Sequence, residues 1–181
     1  MKQKKLLIVI VAFSIIATFI VGVFRLNAQT VPLIEKRIGN TIYELDTIRF
    51  YYIKNKANKI THQEYSNSSY CRTIINNVEQ AYSDWLENFK PVFSKERAKE
   101  LNQRINITCV FDTTGQIQEV NFLFYDREIF EMFKLSEIKA MEDALKKYRY
   151  KDLSWYNCGD AKYSYLIYGF NPYLLYYEKT K

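Results

Sequence analysis

Histidine is nearly missing from this 181-residue chain: His62 is its one example. That scarcity removes most metal and acid–base chemistry at once. His62 sits in a polar stretch and is expected to be a solvated side chain. There is no Cys-x-x-Cys or His-Glu-x-x-His spacing, so no metal site is expected. The 5 glycines form neither a phosphate-cradling loop nor a Gly-x-Ser-x-Gly elbow, which excludes the usual nucleotide and serine-hydrolase signatures and leaves no expected cofactor. With 3 prolines, no low-complexity tract and no internal repeat, the body should be compact rather than linker-like.

What is present begins at the N-terminus. Lys2, Lys4 and Lys5 precede an apolar run from Leu6 to Phe24, and Leu26-Asn27-Ala28-Gln29 follows it. A basic start, an apolar stretch and a small residue before the cut make an export signal. The run has 19 residues, roughly 29 Å as a helix at about 1.5 Å per residue, so it is also long enough to span a bilayer core. Residues 1–28 are therefore expected to be a signal peptide or an N-terminal membrane anchor, and 29–181 a single α+β domain. The expected location is periplasmic, secreted or elsewhere in the cell envelope, or anchored in the inner membrane if the leader is retained. Membrane contact is expected only through residues 6–24, and only if uncleaved.

The leader also alters the charge. Lys2, Lys4, Lys5 and Arg25 are 4 of the 26 basic residues, so the remainder holds 22 against 20 acids, a net +2. The basic character resides largely in the leader and gives no argument for nucleic acid. In an exported protein, Cys71, Cys109 and Cys158 allow one disulfide and one spare thiol. Alternation places Cys109 on the Ile107/Phe111 face, which looks buried, leaving Cys71 with Cys158 as the expected bridge.

Short β-branched and aromatic runs over Thr41–Leu45 and Ile48–Ile53 predict strands; Lys54–Gln63 predicts a loop. Ile74, Val78, Tyr82, Trp85 and Phe89 form one stripe of a helix stopped by Pro91, and Ser94 is placed to cap a second one through Leu101. Ile105–Phe111 and Ile117–Phe124, joined by Asp112-Thr113-Thr114-Gly115, predict a hairpin. A loop through Phe133 precedes a helix capped by Ser136, with Ile138, Met141, Leu145 and Tyr148 on one face. Strands are expected at Tyr163–Phe170 and Tyr173–Tyr177. The sum is an α+β fold, an antiparallel sheet with helices packed on one face.

The segments Arg97-Ala98-Lys99-Glu100-Leu101, Phe111-Asp112, Gly115-Gln116-Ile117-Gln118-Glu119-Val120, Ala144 to Tyr150 and Tyr163 to Phe170, in that order, resemble the C-terminal domain of the TonB energy-coupling family. The resemblance covers about 74 residues, 97 to 170. It implies a TonB-C-like fold and a sheet edge that accepts an extended peptide. The family's Pro-rich spacer is missing, since Pro32 and Pro91 are the only prolines between Gln29 and Phe170, and the apolar run has only Ser14 and Thr18 as polar positions. Energy coupling is accordingly not implied. The whole chain resembles small uncharacterised exported proteins of Gram-negative gut bacteria.

The 16 tyrosines and 12 phenylalanines would fill a sheet-rich core, or supply a surface that stacks on sugars or grips a peptide. Tyr51, Tyr165 and Tyr168 are the expected outward aromatics on edge strands. The expected function is a non-enzymatic envelope module that binds a peptide, a protein or a glycan. The alternatives are a glycan-directed hydrolase using the loop carboxylates Asp126, Glu128 and Glu131, and a structural subunit of a homo-oligomer. Asp46-Thr47-Ile48 and Asp112-Thr113-Thr114 also resemble acceptor triplets for periplasmic O-glycosylation.

Overall fold

Eight strands and five helices account for residues 33–47, 51–60, 72–156 and 158–177, the parts of the chain that the computed structural model describes. The expected leader, His62 and Cys71 lie outside the described residues. The antiparallel hairpin of β5 (Ile105–Asp112) and β6 (Ile117–Phe124) lies in the interior of the sheet. Alternation in β5 turns Ile105, Ile107, Cys109 and Phe111 to one face, where each is fully buried. The turn between them is fixed by Asp112, whose Oδ1 accepts the Thr114 N–H at 2.8 Å and the Thr114 hydroxyl at 2.6 Å. Gly115 there has φ +83°, and a Cβ on it would meet the Tyr150 carbonyl oxygen at 2.3 Å. No residue but glycine fits.

β1 (Ile34–Ile38), β2 (Thr41–Asp46) and β3 (Tyr51–Asn55) form a meander that joins β6, and β8 (Tyr163–Phe170) joins β5. The order is β1-β2-β3-β6-β5-β8, antiparallel throughout. Register lines up one apolar row across all six strands: Ile34, Leu45, Ile53, Phe122, Ile107, Tyr168. Because side chains alternate with period 2, the next row belongs to the other face. It reads Glu35, Glu44, Lys54, Asn121, Thr108, Ile167.

The helices cover the apolar face, as an α+β layer requires. In α1 (Val78–Phe89), Asn77 caps the N-terminus by accepting the Gln80 N–H, and Ala81, Trp85 and Phe89 are buried. α2 (Lys95–Glu100) is capped by Ser94. α4 (Leu135–Lys146) lies against β6 and buries Ile138, Met141 and Leu145 in the same core as Phe122. Each such side chain contributes roughly 1.5–3 kcal/mol by leaving water. Arg97 clamps Glu137 with two hydrogen bonds of 2.6 and 3.0 Å, tying α2 to α4. These elements belong to one compact unit that begins at Leu33, and among the described residues no helix is long and apolar enough to cross a membrane.

Several expected elements differ. Ile74 belongs not to α1 but to β4 (Arg72–Ile75), which pairs with β7 (Leu153–Tyr156) in a separate two-stranded ribbon. Residues before Phe133, expected as loop, hold the one-and-a-half-turn α3 (Arg127–Met132). Ser136 does not cap α4; the Glu137 carboxylate accepts the Lys134 N–H at 2.8 Å instead. Tyr173–Tyr177 is not a strand, since Asn171 Oδ1 accepts the Tyr173 N–H and starts a turn that runs into α5 (Leu174–Tyr177). The span that resembles TonB covers β5, β6, α4 and β8, whereas β1 to β3 extend the sheet beyond it on the β6 side.

Candidate functional site

A sheet of this order has two edges, and their sequences differ. β1 reads Ile-Glu-Lys-Arg-Ile, with three successive charged residues; Glu35 pairs with Lys56 at 2.5 Å. Charges of this kind deter other strands from pairing. β8 reads Tyr-Ser-Tyr-Leu-Ile-Tyr-Gly-Phe, eight residues without a charge or a proline. It pairs with β5 along its entire length, and among the described residues no strand pairs with its other side. Its inner side chains are anchored: Tyr168 lies 4.2 Å from the Trp85 ring, and Phe170 lies 4.7 Å from Phe89. Burial pushes the Tyr168 hydroxyl up to about 12. On the outer face Tyr165 and Ile167 are 52 % and 59 % exposed. Ile167 is the apolar end of an otherwise polar row.

Of the three aromatics expected to face outward on edge strands, only Tyr165 does so. Tyr168 points into the core, because a spacing of three residues places it on the face opposite Tyr165. Tyr51 is on β3, an interior strand, and its half-buried ring stacks on Phe130 at 5.3 Å. Ile167 was not singled out by its sequence, although its alternation with Tyr165 is the signal that would have found it.

The loop acids do not converge. Asp126 is the N-cap of α3 and accepts the Ile129 N–H at 2.8 Å. Glu131 pairs with Arg127 at 2.6 Å, and Glu128 is exposed on the first turn of the same helix. Asp112 is occupied by the hairpin turn and also accepts the Gln118 amide at 2.7 Å. The buried carboxylates are likewise engaged. Glu119 accepts the backbone N–H groups of Lys59 and Ile60, Glu137 is held by Arg97, and Glu142 accepts from Tyr43, Asn55 and Lys146. Among the described residues no group of three His, Cys, Asp or Glu is placed to hold a metal.

Cys109 is a free, fully buried thiol whose pKa burial pushes well above the usual thiol range. Cys158 is partnered, and Cys71 lies outside the described residues.

The crystal structure of a DUF5043 family protein from Bacteroides uniformis ATCC 8492 matches with a TM-score of 0.61, covering 78 % of this chain and 92 % of that chain at 20 % sequence identity. The two share a fold. At that identity the likeness extends to the architecture alone. No protein-family model matches the chain, and no curated protein does.

Proposed function

We propose that this is an exported envelope protein that binds an extended peptide segment of another protein along β8. The observation behind this reading is the contrast of edges: β1 is guarded by Glu35, Lys36 and Arg37, while β8 offers eight uncharged residues with Ile167 exposed. An incoming strand would gain backbone hydrogen bonds along β8, and alternate side chains would meet Ile167 and Tyr165. The sequence resemblance of residues 97–170 to the TonB C-terminal domain supports that binding mode. The expected leader over residues 1–28 supports export. A Cys71–Cys158 bridge belongs to the same proposal: β4 and β7 pair with Arg72 opposite Tyr156, Cys71 adjoins Arg72 in sequence, and Cys109 is buried and free.

The test is residue-specific photocrosslinking in the native envelope, with the probe at position 167 on β8 and, for comparison, at position 37 on β1. The expected result is crosslinking from 167 to one segment of one protein, abolished by a Tyr165→Lys substitution on the outer face of the same strand and absent from 37. Crosslinks that are equal at the two edges, or missing at both, would overturn the reading.

A further inference from the structure

On the helix side of the sheet, under the opposite edge, lies a cavity of about 160 Å³. Its floor is Leu45, Ile53 and Ile138, each no more than 3 % exposed. Its walls are Phe130, Phe133 and Leu135, and two charged residues, Lys36 of β1 and Glu131 of α3, stand at its rim. We propose that this cavity binds a small apolar carboxylate, with an aryl or branched alkyl body seated on the floor and the carboxylate held by Lys36. A volume of about 150 Å³ matches a benzene-sized group, which sets the size of the body.

The rim charges set the head group. Glu131 is paired with Arg127 at 2.6 Å. Lys36 has no ion pair among the described residues, and its ammonium lies 5.9 Å from the Phe130 ring centroid. Lys36 is opposite Tyr43 in the β1–β2 register, and Tyr43 is fully buried, so its side chain leaves the strand on the cavity side. A cation with no ion pair among the described residues, standing over an apolar floor, calls for an anion joined to an apolar body. The site shares no residue with β8, so its failure and that of the peptide-binding reading are separate results.

The experiment is a titration of the purified, ¹⁵N-labelled protein with phenylacetate, followed by amide chemical shifts, beside phenylacetamide as the neutral isostere. The expected result is saturable shifts around Ile53, Phe130 and Ile138 below about 10 mM ligand, a range set by the ligand's ten heavy atoms. Affinity should fall about tenfold for phenylacetamide, and about tenfold for phenylacetate on Lys36→Met, the loss of one charge-assisted bond. Arg37→Met, on the other face of β1, should leave affinity unchanged. The amide comparison requires no variant and stands even if Lys36→Met fails to fold. No saturation, equal affinity for acid and amide, or equal losses in Lys36→Met and Arg37→Met would overturn the proposal.

Discussion

The Tyr43 hydroxyl on β2 donates a hydrogen bond to the Glu142 carboxylate on α4, across 99 residues of sequence. Both side chains are buried, and the remaining demand of the carboxylate is met by the Asn55 amide at 2.9 Å and the Lys146 ammonium at 2.6 Å. The group fastens α4 to the N-terminal meander through polar bonds inside an otherwise apolar layer.

Breaking that group should be expensive. Glu142→Ala leaves the Tyr43 hydroxyl and the Asn55 amide without their acceptor, and is expected to cost about 3 kcal/mol. Tyr43→Phe removes only one donor and should cost about 1–2 kcal/mol. Urea unfolding midpoints at unchanged slope measure both. In the double variant the costs should add to less than their sum; strict additivity would show that the two side chains are not coupled.

Trp85 packs on Tyr168, Phe89 and Tyr150 with 2 % of its surface exposed. Trp85→Ala should destabilise by about 3–5 kcal/mol through the cavity it leaves. Among the described residues its indole N–H has no hydrogen-bond partner, so Trp85→Phe should cost distinctly less. Thermal melting of the two variants side by side would expose an error in this ranking.

Gly115→Ala forces both a strained φ and a clash with the Tyr150 carbonyl, which Gly115 approaches because its own carbonyl accepts the Tyr150 N–H at 2.8 Å. The cost should be at least about 1–3 kcal/mol. Hydrogen exchange should accelerate at the Tyr150 amide more than in the centre of β5. A variant as stable as the parent would mean that the turn had been described incorrectly.

Five tyrosines set the alkaline limit, and burial raises Tyr43 and Tyr150 further than the other three. Burial, aided by Glu119 at Tyr52 and by Asp84 at Tyr148, raises both hydroxyls to about 12, and burial raises Tyr168 to the same value. An unfolded tyrosine ionises near about 10. The folded state therefore binds more protons between these values, so stability is intact below about pH 10 and falls as pH rises toward about 12. Absorbance at 295 nm should show a delayed group of tyrosines that ionises together with unfolding.

Asp112 acts at the acid limit. Its partial burial would raise its carboxyl, but hydrogen bonds from Thr114, Gln118 and Gln116 outweigh that and hold it below the usual carboxylate range. A depressed folded pKa gives stability that is present above the unfolded value of about 3.9 and is lost as pH falls through the folded one. Asp112→Asn should therefore lower stability at pH 7 and flatten its decline below about pH 4, as seen in denaturation midpoints between pH 2 and 7.

Elements with a strong local period were readable from sequence. β6 and β8 fall at their expected limits, and three of the four positions in the predicted stripe of α4, Ile138, Met141 and Leu145, are buried. Elements defined by tertiary partners were not. Ile74 fits a helical stripe at a spacing of four, yet β7 captures it into a ribbon, because strand pairing outweighs a weak local preference there. α3 is six residues long with no buried side chain, too short for a periodic signal. The β8 candidate was half visible: alternation assigns Tyr165 and Tyr168 to opposite faces, but only the sheet order reveals that β8 is an edge and β3 is not. The rim of the cavity was hidden altogether, since Lys36 and Glu131 are 95 positions apart and nothing local connects them.

The unequal guarding of the two edges also limits how these molecules can assemble with one another. If two copies met through their sheets, each would have a single permissive side, so the contact would have to be made between equivalent strands about a two-fold axis. That arrangement consumes the permissive side of both copies and leaves a charged β1 at each outer end. Growth would then stop at a pair, because Glu35, Lys36 and Arg37 would disfavour the addition of a further strand at each end.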